Sequence, residues 1–326
     1  MPDSPSAKGA GEAQAKAVAK AAAAARALVA DGLAGLTLSS VPSALPAPVV
    51  ISPGAQHDAT LLLLPGFTCS AESMAESWMP AIAEKLGDRG GRLRLVFLNA
   101  PEREVSCYGA ERPRMRAWHD YFTDHGGDEG RPELEEEIDE AHVAWSRARI
   151  HAAIDAEVAL LGGDHSRVAV GGASQGCCMA LDAALTHPAL LGGVFASFGQ
   201  VYACTARALA AAPGGAAAKC SLRLVAFHGA GDRCIAASLA MRRYADLVDL
   251  GFSALRLHVE PDLGHCESSE AESDLLCDAL ASWGFVPQKK EKKNKEPKNT
   301  VDLHTHRKFI ESGVSLSLGS KFLSPR

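Results

Sequence analysis

Two rhythms of apolar and polar residues alternate along the chain. Short apolar runs, often β-branched, occur at 60–64, 93–98, 168–170, 194–196, 222–227 and 255–259. Each is the length of a strand and is bounded by glycine, proline or charge. Thr60-Leu61-Leu62-Leu63-Leu64 is continuous rather than alternating, as expected of a strand buried on both faces. Val49-Val50-Ile51 reads as an edge strand. Between these runs lie helix-spaced segments at 79–86, 133–161, 177–185, 236–250 and 273–283. In the longest, Leu134, Ile138, Ala141, Trp145, Ala148 and Ala152 share one face, which Ile150, Ile154, Val158 and Leu161 continue. Its acidic start, Glu135-Glu136-Glu137, lies where a helix dipole favours negative charge, and reads as a solvated terminus rather than a metal site. Residues 99–128 read as loop, rich in glycine, proline and charge. Strand following helix following strand predicts an α/β fold with a mostly parallel central sheet and helices on both faces. No internal repeat is visible.

The two ends break this pattern. Residues 1–47 are dominated by alanine, which has high helix propensity but little area to bury. They read as a disordered or loosely helical extension. Lys8, Lys16, Lys20 and Arg26 leave a transit peptide open, although Asp3 and Glu12 dilute that pattern. The packed body is expected over 48–287. Residues 288–326 begin with a lysine-rich run, 289–298, that reads as a solvated tail, or else as a weak electrostatic contact with acidic membranes or nucleic acid.

Composition narrows the class without choosing a function. The chain is 47% hydrophobic and 22% charged, as in soluble globular enzymes. No uninterrupted apolar run reaches about 18 residues, so no membrane span is expected. A formal charge of −6 argues against specific nucleic-acid binding by the body. Nine cysteines, none in a C-x-x-C pair, suggest neither a zinc ribbon nor a thioredoxin site. With no compact apolar leader, free thiols in a reducing, cytoplasmic setting are the simplest expectation. An organelle is the alternative if the alanine-rich segment is a transit peptide.

The chemistry centres on Gly172-Ala173-Ser174-Gln175-Gly176, which joins the strand at 168–170 to the helix at 177–185. Strand, G-x-S-x-G, helix is the context of a nucleophile elbow. Its turn is so sharp that the flanking positions must be small, and glycine fills both. A bare G-x-S-x-G is weak evidence, because a glycine-rich turn with a capping serine has the same pattern. What strengthens it is a base and an acid in chain order. Asp232 lies just past the strand at 222–227, and His265 just past the one at 255–259. In a parallel sheet both loops open onto the same rim as Ser174. Ser, Asp, His is the order of α/β-hydrolases. Asp262 is too near His265 in sequence to reach round to its Nδ1 easily. His228 reads as structural, His187 as a helix-terminus group and His119 as a surface group. An oxyanion hole needs two amides. The N–H of Gln175 is one, and Phe67, in Pro65-Gly66-Phe67-Thr68-Cys69, is the best second donor, since Pro65 has none.

Gly172-Ala173-Ser174-Gln175-Gly176, His228-Gly229-Ala230-Gly231-Asp232 and Gly264-His265 resemble the phospholipase/carboxylesterase family that contains the acyl-protein thioesterases. Ala100-Pro101 and Met115-Arg116-Ala117-Trp118 resemble that family's segment before its long helix. The resemblance runs from about Thr60 to Trp283. It implies an α/β-hydrolase fold without a large cap, and hydrolysis of esters or thioesters, including S-acylated proteins and lysophospholipids. It places the triad on Ser174, Asp232 and His265, with Gly66 and Trp118 expected to contact substrate. No metal or organic cofactor is implied. The family's usual His-Gly at the oxyanion loop is here Pro65-Gly66, and its Val-Pro after the acid is here Ile235-Ala236. A dienelactone-hydrolase-like or general small-ester enzyme is the runner-up. A dead hydrolase scaffold that binds partners is the non-enzyme alternative.

Overall fold

A computed structural model of the chain describes residues 44–53, 56–109, 111–212, 214–289 and 300–301. All fall within the unit Pro42–Arg326. Residues 1–43 of the alanine-rich extension and most of the lysine-rich tail lie outside the described residues.

The core is one eight-stranded sheet in the order β1-β3-β2-β6-β7-β8-β9-β10. Its strands are β1 Val49–Ile51, β2 Ala59–Leu64, β3 Leu93–Phe97, β6 Val168–Ala173, β7 Gly193–Ser197, β8 Leu224–Gly229, β9 Leu255–Glu260 and β10 Thr300–Val301. Strands β4 Glu102–Arg103 and β5 Met115–Arg116 form a separate two-stranded ribbon. The six inner strands run parallel, while β1 and β10 close the edges antiparallel. Residues 49–51 therefore form the edge strand that the sequence suggests. Part of the expected solvated tail instead pairs with the far edge, Thr300 opposite His258 and Val301 opposite Leu257.

Side-chain alternation on the strands divides the apolar residues between two layers. Leu62, Leu64, Val168, Val170, Val194, Leu224 and Leu257 face one layer. It is covered by α2 Glu140–Leu160, α3 Gln175–Thr186, α4 Ala203–Ala211 and α5 Ala237–Asp249. Leu61, Leu63, Leu95, Ala169, Phe195, Val225 and Phe227 face the other, under α1 Ala71–Leu86 and α6 Glu270–Ser282. This explains why β2 is apolar at every position from 61 to 64. At about 25 cal/mol per Å² of apolar area, the two layers supply most of the stabilisation.

Several boundaries differ from the sequence reading for local reasons. Helix α2 starts at Glu140, because Asp139 caps it by accepting from the amides of Ala141 and His142. The acidic run before it is not a solvated helix terminus. Glu135 accepts from the amide of Ala203 and pairs with Arg243. Glu136 accepts from Thr123 Oγ1 and from the amides of His125 and Gly126. Helix α1 begins at Ala71 rather than Met79, with a Ser70–Ser73 capping box and the Ala71 amide donating to Asn99 Oδ1. Helix α4 lacks an apolar period, since its sequence is mostly alanine. A buried bidentate pair, Arg147 to Asp182 at 2.7 Å for each bond, fastens α2 to α3 behind the elbow.

Candidate active site

The elbow is built by steric exclusion. Ser174 sits between β6 and α3 with φ 54° and ψ −125°, which non-glycine residues adopt only when their surroundings hold them there. A Cβ on Gly172 would fall 2.6 Å from Gly176 C and 2.7 Å from Leu64 O. One on Gly176 would fall 2.1 Å from Leu64 O. Any other residue at either position would push the hydroxyl off the rim.

Three loops converge there. The Ser174 hydroxyl lies 2.8 Å from His265 Nε2 and can donate to it. His265 Nδ1–H donates to Asp232 Oδ2 at 2.7 Å. Asp232 Oδ1 accepts from the amides of Cys234 and Ile235 at 2.8 and 2.9 Å. Burial pushes the Asp232 carboxyl up, but hydrogen bonds from His228 and His265 outweigh it and hold it well below the usual carboxylate range. Asp232 is thus a buried anion at neutral pH, fixed at one oxygen by backbone and offering the other to His265. Asp262 does not take that place. His228 donates Nε2–H to Ile235 O at 2.8 Å and shapes the acid's loop, consistent with a structural role.

Phe198 lies just past β7, also at positive φ, with its ring 5.9 Å from the His265 ring and edge-on to it. Its ring thus packs directly against the imidazole. Sequence reasoning missed it, because a phenylalanine ending an apolar strand looks like ordinary core.

The expected oxyanion amides lie on adjoining backbone. Gln175 opens α3, where N-terminal amides have no intrahelical acceptor. Phe67 lies in the loop after β2, and its amide makes no hydrogen bond among the described residues. Gly66 lets that loop approach, since a Cβ there would stand 3.2 Å from Ser174 Cβ.

Two sequence expectations require correction. Trp118 is not among the side chains that line the cleft: it is fully buried. Its indole N–H donates to Pro65 O at 2.8 Å, and its amide donates to the Gln175 side-chain oxygen at 2.8 Å. It therefore clamps the loop after β2 to the elbow. His119 is not on the surface. It is fully buried, its Nε2 accepting from the Tyr202 hydroxyl at 2.6 Å and its Nδ1–H directed at Asp120 O. Burial pushes its pKa down to about 3, so the ring is neutral. Both residues fall in a stretch whose polar, glycine-rich composition conceals how deeply this part is buried. His187 does cap α3, as expected.

Ser174 and His265 open onto a cleft of about 240 Å³. Phe67, Leu134, Ile235 and Leu239 give it apolar walls, while Tyr108, Tyr121, Asp124 and Glu136 add polar ones. Two thiols also reach it, those of Cys178 and Cys234. Burial pushes Cys178 up to about 12 and raises Cys234 as well, so neither is a ready thiolate. All nine cysteines are free. Among the described residues no helix is long and apolar enough to cross a membrane.

Residues 45–276 match the profile of the Phospholipase/Carboxylesterase family. An acyl-protein thioesterase 1 from Schizosaccharomyces pombe is 31% identical over 154 residues, 46% of this chain and 60% of that protein. A second, from Neurospora crassa, is 27% identical over 151 residues, 46% of this chain and 57% of that protein. The chain thus spans less than two thirds of the length of either curated relative. Among solved structures, Zea mays acyl-protein thioesterase 2 superposes with a TM-score of 0.59 at 22% identity, covering 72% of this chain and 98% of that one. Arabidopsis thaliana SOBER1 gives 0.57 at 22% identity, covering 69% and 98%. These likenesses show a shared α/β-hydrolase fold, and no large cap covers the rim among the described residues.

Proposed function

Because the chain belongs to the phospholipase/carboxylesterase family, we propose that it is a serine hydrolase cleaving carboxylic esters or thioesters through an acyl-enzyme. The observation that carries this reading is the unbroken relay from the strained Ser174 hydroxyl through His265 to the buried Asp232 carboxylate. A non-catalytic scaffold has no need to hold serine at positive φ and an unprotonated acid beneath a histidine.

The reaction follows from the geometry. His265 Nε2 accepts the Ser174 proton as Oγ attacks the carbonyl carbon. The carbonyl oxygen becomes an oxyanion and is met by the amides of Gln175 and Phe67. Asp232 holds the imidazole in the Nδ1–H tautomer and stabilises the cation that forms. The tetrahedral species collapses, the bond to the leaving alcohol or thiol breaks, and His265 returns the proton to it. Water then repeats the sequence on the acyl-serine, releasing the acid and restoring Ser174. The imidazole must be neutral at the outset to accept that proton.

The curated relatives' names point to S-acylated proteins as substrates. Polar side chains on the cleft wall favour a second reading, a carboxylesterase for small esters. The test is a hydrolysis panel pairing esters with thioesters over several acyl lengths, run on the parent chain and on Ser174→Ala. The parent should turn over at least one series and the variant should not. A Ser174→Ala protein retaining most of the activity would refute the mechanism.

A further inference from the structure

Away from the rim, at the opposite end of β6, lies a second group of side chains that the chemistry above does not use. Asp155 on α2, His165 in the short turn entering β6 and His187 at the end of α3 offer donor atoms all within 4.8 Å of one another. We propose that these three form a binding site for a zinc-class divalent cation, with a fourth position open to water. It lies apart from the ester chemistry, for which no metal is expected.

The spacing suits such an ion. Zinc bonds of about 2.0–2.1 Å at tetrahedral angles put neighbouring donors about 3.3 Å apart. His187 Nε2 and Asp155 Oδ1 already stand 3.2 Å apart. His165 needs a modest approach, and a surface turn allows it. Two imidazoles and a carboxylate suit borderline metals such as zinc rather than calcium or magnesium.

The surroundings also prepare the ligands. His187 is almost fully buried and follows α3 in an extended conformation set by the next residue, Pro188. Its Nδ1 accepts from the Ala189 amide at 3.1 Å, and its Nε2–H is directed at Asp155 Oδ1, a proton that a bound cation would displace. The His165 ring lies 5.6 Å from the His187 ring and makes no hydrogen bond among the described residues. That leaves it free to ligate. Asp155 Oδ1 accepts from His187 Nε2–H at 3.2 Å, so its carboxylate is already turned towards the imidazole it would share an ion with. His151 packs edge-on to His187 but commits its Nε2 to Ala183 O at 2.9 Å, so it supports the site without ligating.

The test uses the full chain after chelator treatment. Zinc affinity is measured by competition with a chromophoric chelator, for the parent, His165→Ala and Asp155→Asn. Both substitutions lie near the surface and leave the buried His187 intact. The parent should bind an equivalent of zinc that each variant binds at least tenfold more weakly. Zinc should also raise the melting temperature of the parent more than that of either variant. Cobalt reports the ligand set independently. Asp232, Cys234 and His265 form another possible metal cluster, in the cleft, but binding through Cys234 would show thiolate charge-transfer bands that the proposed nitrogen and oxygen set lacks. No bound equivalent, equal affinity in all three proteins, or cobalt bands arising only from a thiolate would overturn the assignment.

Discussion

Replacing Asp232 by Asn probes the relay with little change of shape. Asp232 Oδ1 is held by the Cys234 and Ile235 amides, while Oδ2 faces His265 Nδ1 at 2.7 Å and His228 Nε2 at 3.3 Å. In the variant the two backbone donors keep the amide oxygen at the first position. The NH2 group then takes the second, facing another N–H on His265. Two donors cannot share that contact, so the imidazole moves its proton to Nε2. That proton points at the Ser174 hydroxyl 2.8 Å away, and the ring can no longer accept from it. Wrong-tautomer loss in such a triad is about 10⁴ in kcat, or about 5 kcal/mol of transition-state stabilisation. The assay is kcat/KM on an activated ester at neutral pH, beside a thermal melt. The melt should move little, because the backbone bonds to the amide oxygen survive. An Asp232→Asn protein that is folded and within tenfold of the parent would refute the assignment of the tautomer to this carboxylate.

Other consequences are as specific. Gly176→Ala places a Cβ 2.1 Å from Leu64 O and 2.3 Å from Pro65 O, both backbone, and should cost several kcal/mol and give poorly folded protein by circular dichroism. Gly66→Ala meets Ser174 Cβ at only 3.2 Å, so it should fold yet lose about tenfold or more in kcat as the Phe67 amide is displaced. Glu272, half-buried on α6 and hydrogen-bonded by the Ser197 hydroxyl, has its pKa pushed up to about 7 by desolvation. The folded state therefore binds a proton more tightly than the unfolded one. Stability from this group is full below about pH 4.5 and lost as pH rises through about 7. Glu272→Gln should remove that dependence, raising the melting temperature at pH 8 relative to the parent and leaving it nearly unchanged at pH 4.5.

The sheet was legible because burial on both faces leaves an unmistakable mark on strands such as Leu61–Leu64, and the glycines of the elbow mark a turn that little else could occupy. Ser174, Asp232 and His265 could be placed together because a parallel sheet brings its strand ends to one rim. What supports them was hidden. Trp118, His119, Phe198 and the Glu135–Glu136 pair lie in polar or irregular stretches, or resemble core, and their roles depend on contacts between residues tens of positions apart. No periodicity registers an indole donating across 53 residues to Pro65 O. The antiparallel pairing of Thr300 and Val301 escaped for another reason: two residues beside a lysine-rich run are too short to announce a strand.

Reaction with a fluorophosphonate, followed by intact mass and peptide mapping, tests the central claim most directly, since it requires a serine made nucleophilic by its neighbours. The expected result is one adduct per chain, carried on Ser174 and lost in His265→Ala. A folded parent protein that takes up no label, or carries it on Cys178 or Cys234 with Ser174 untouched, would contradict the account.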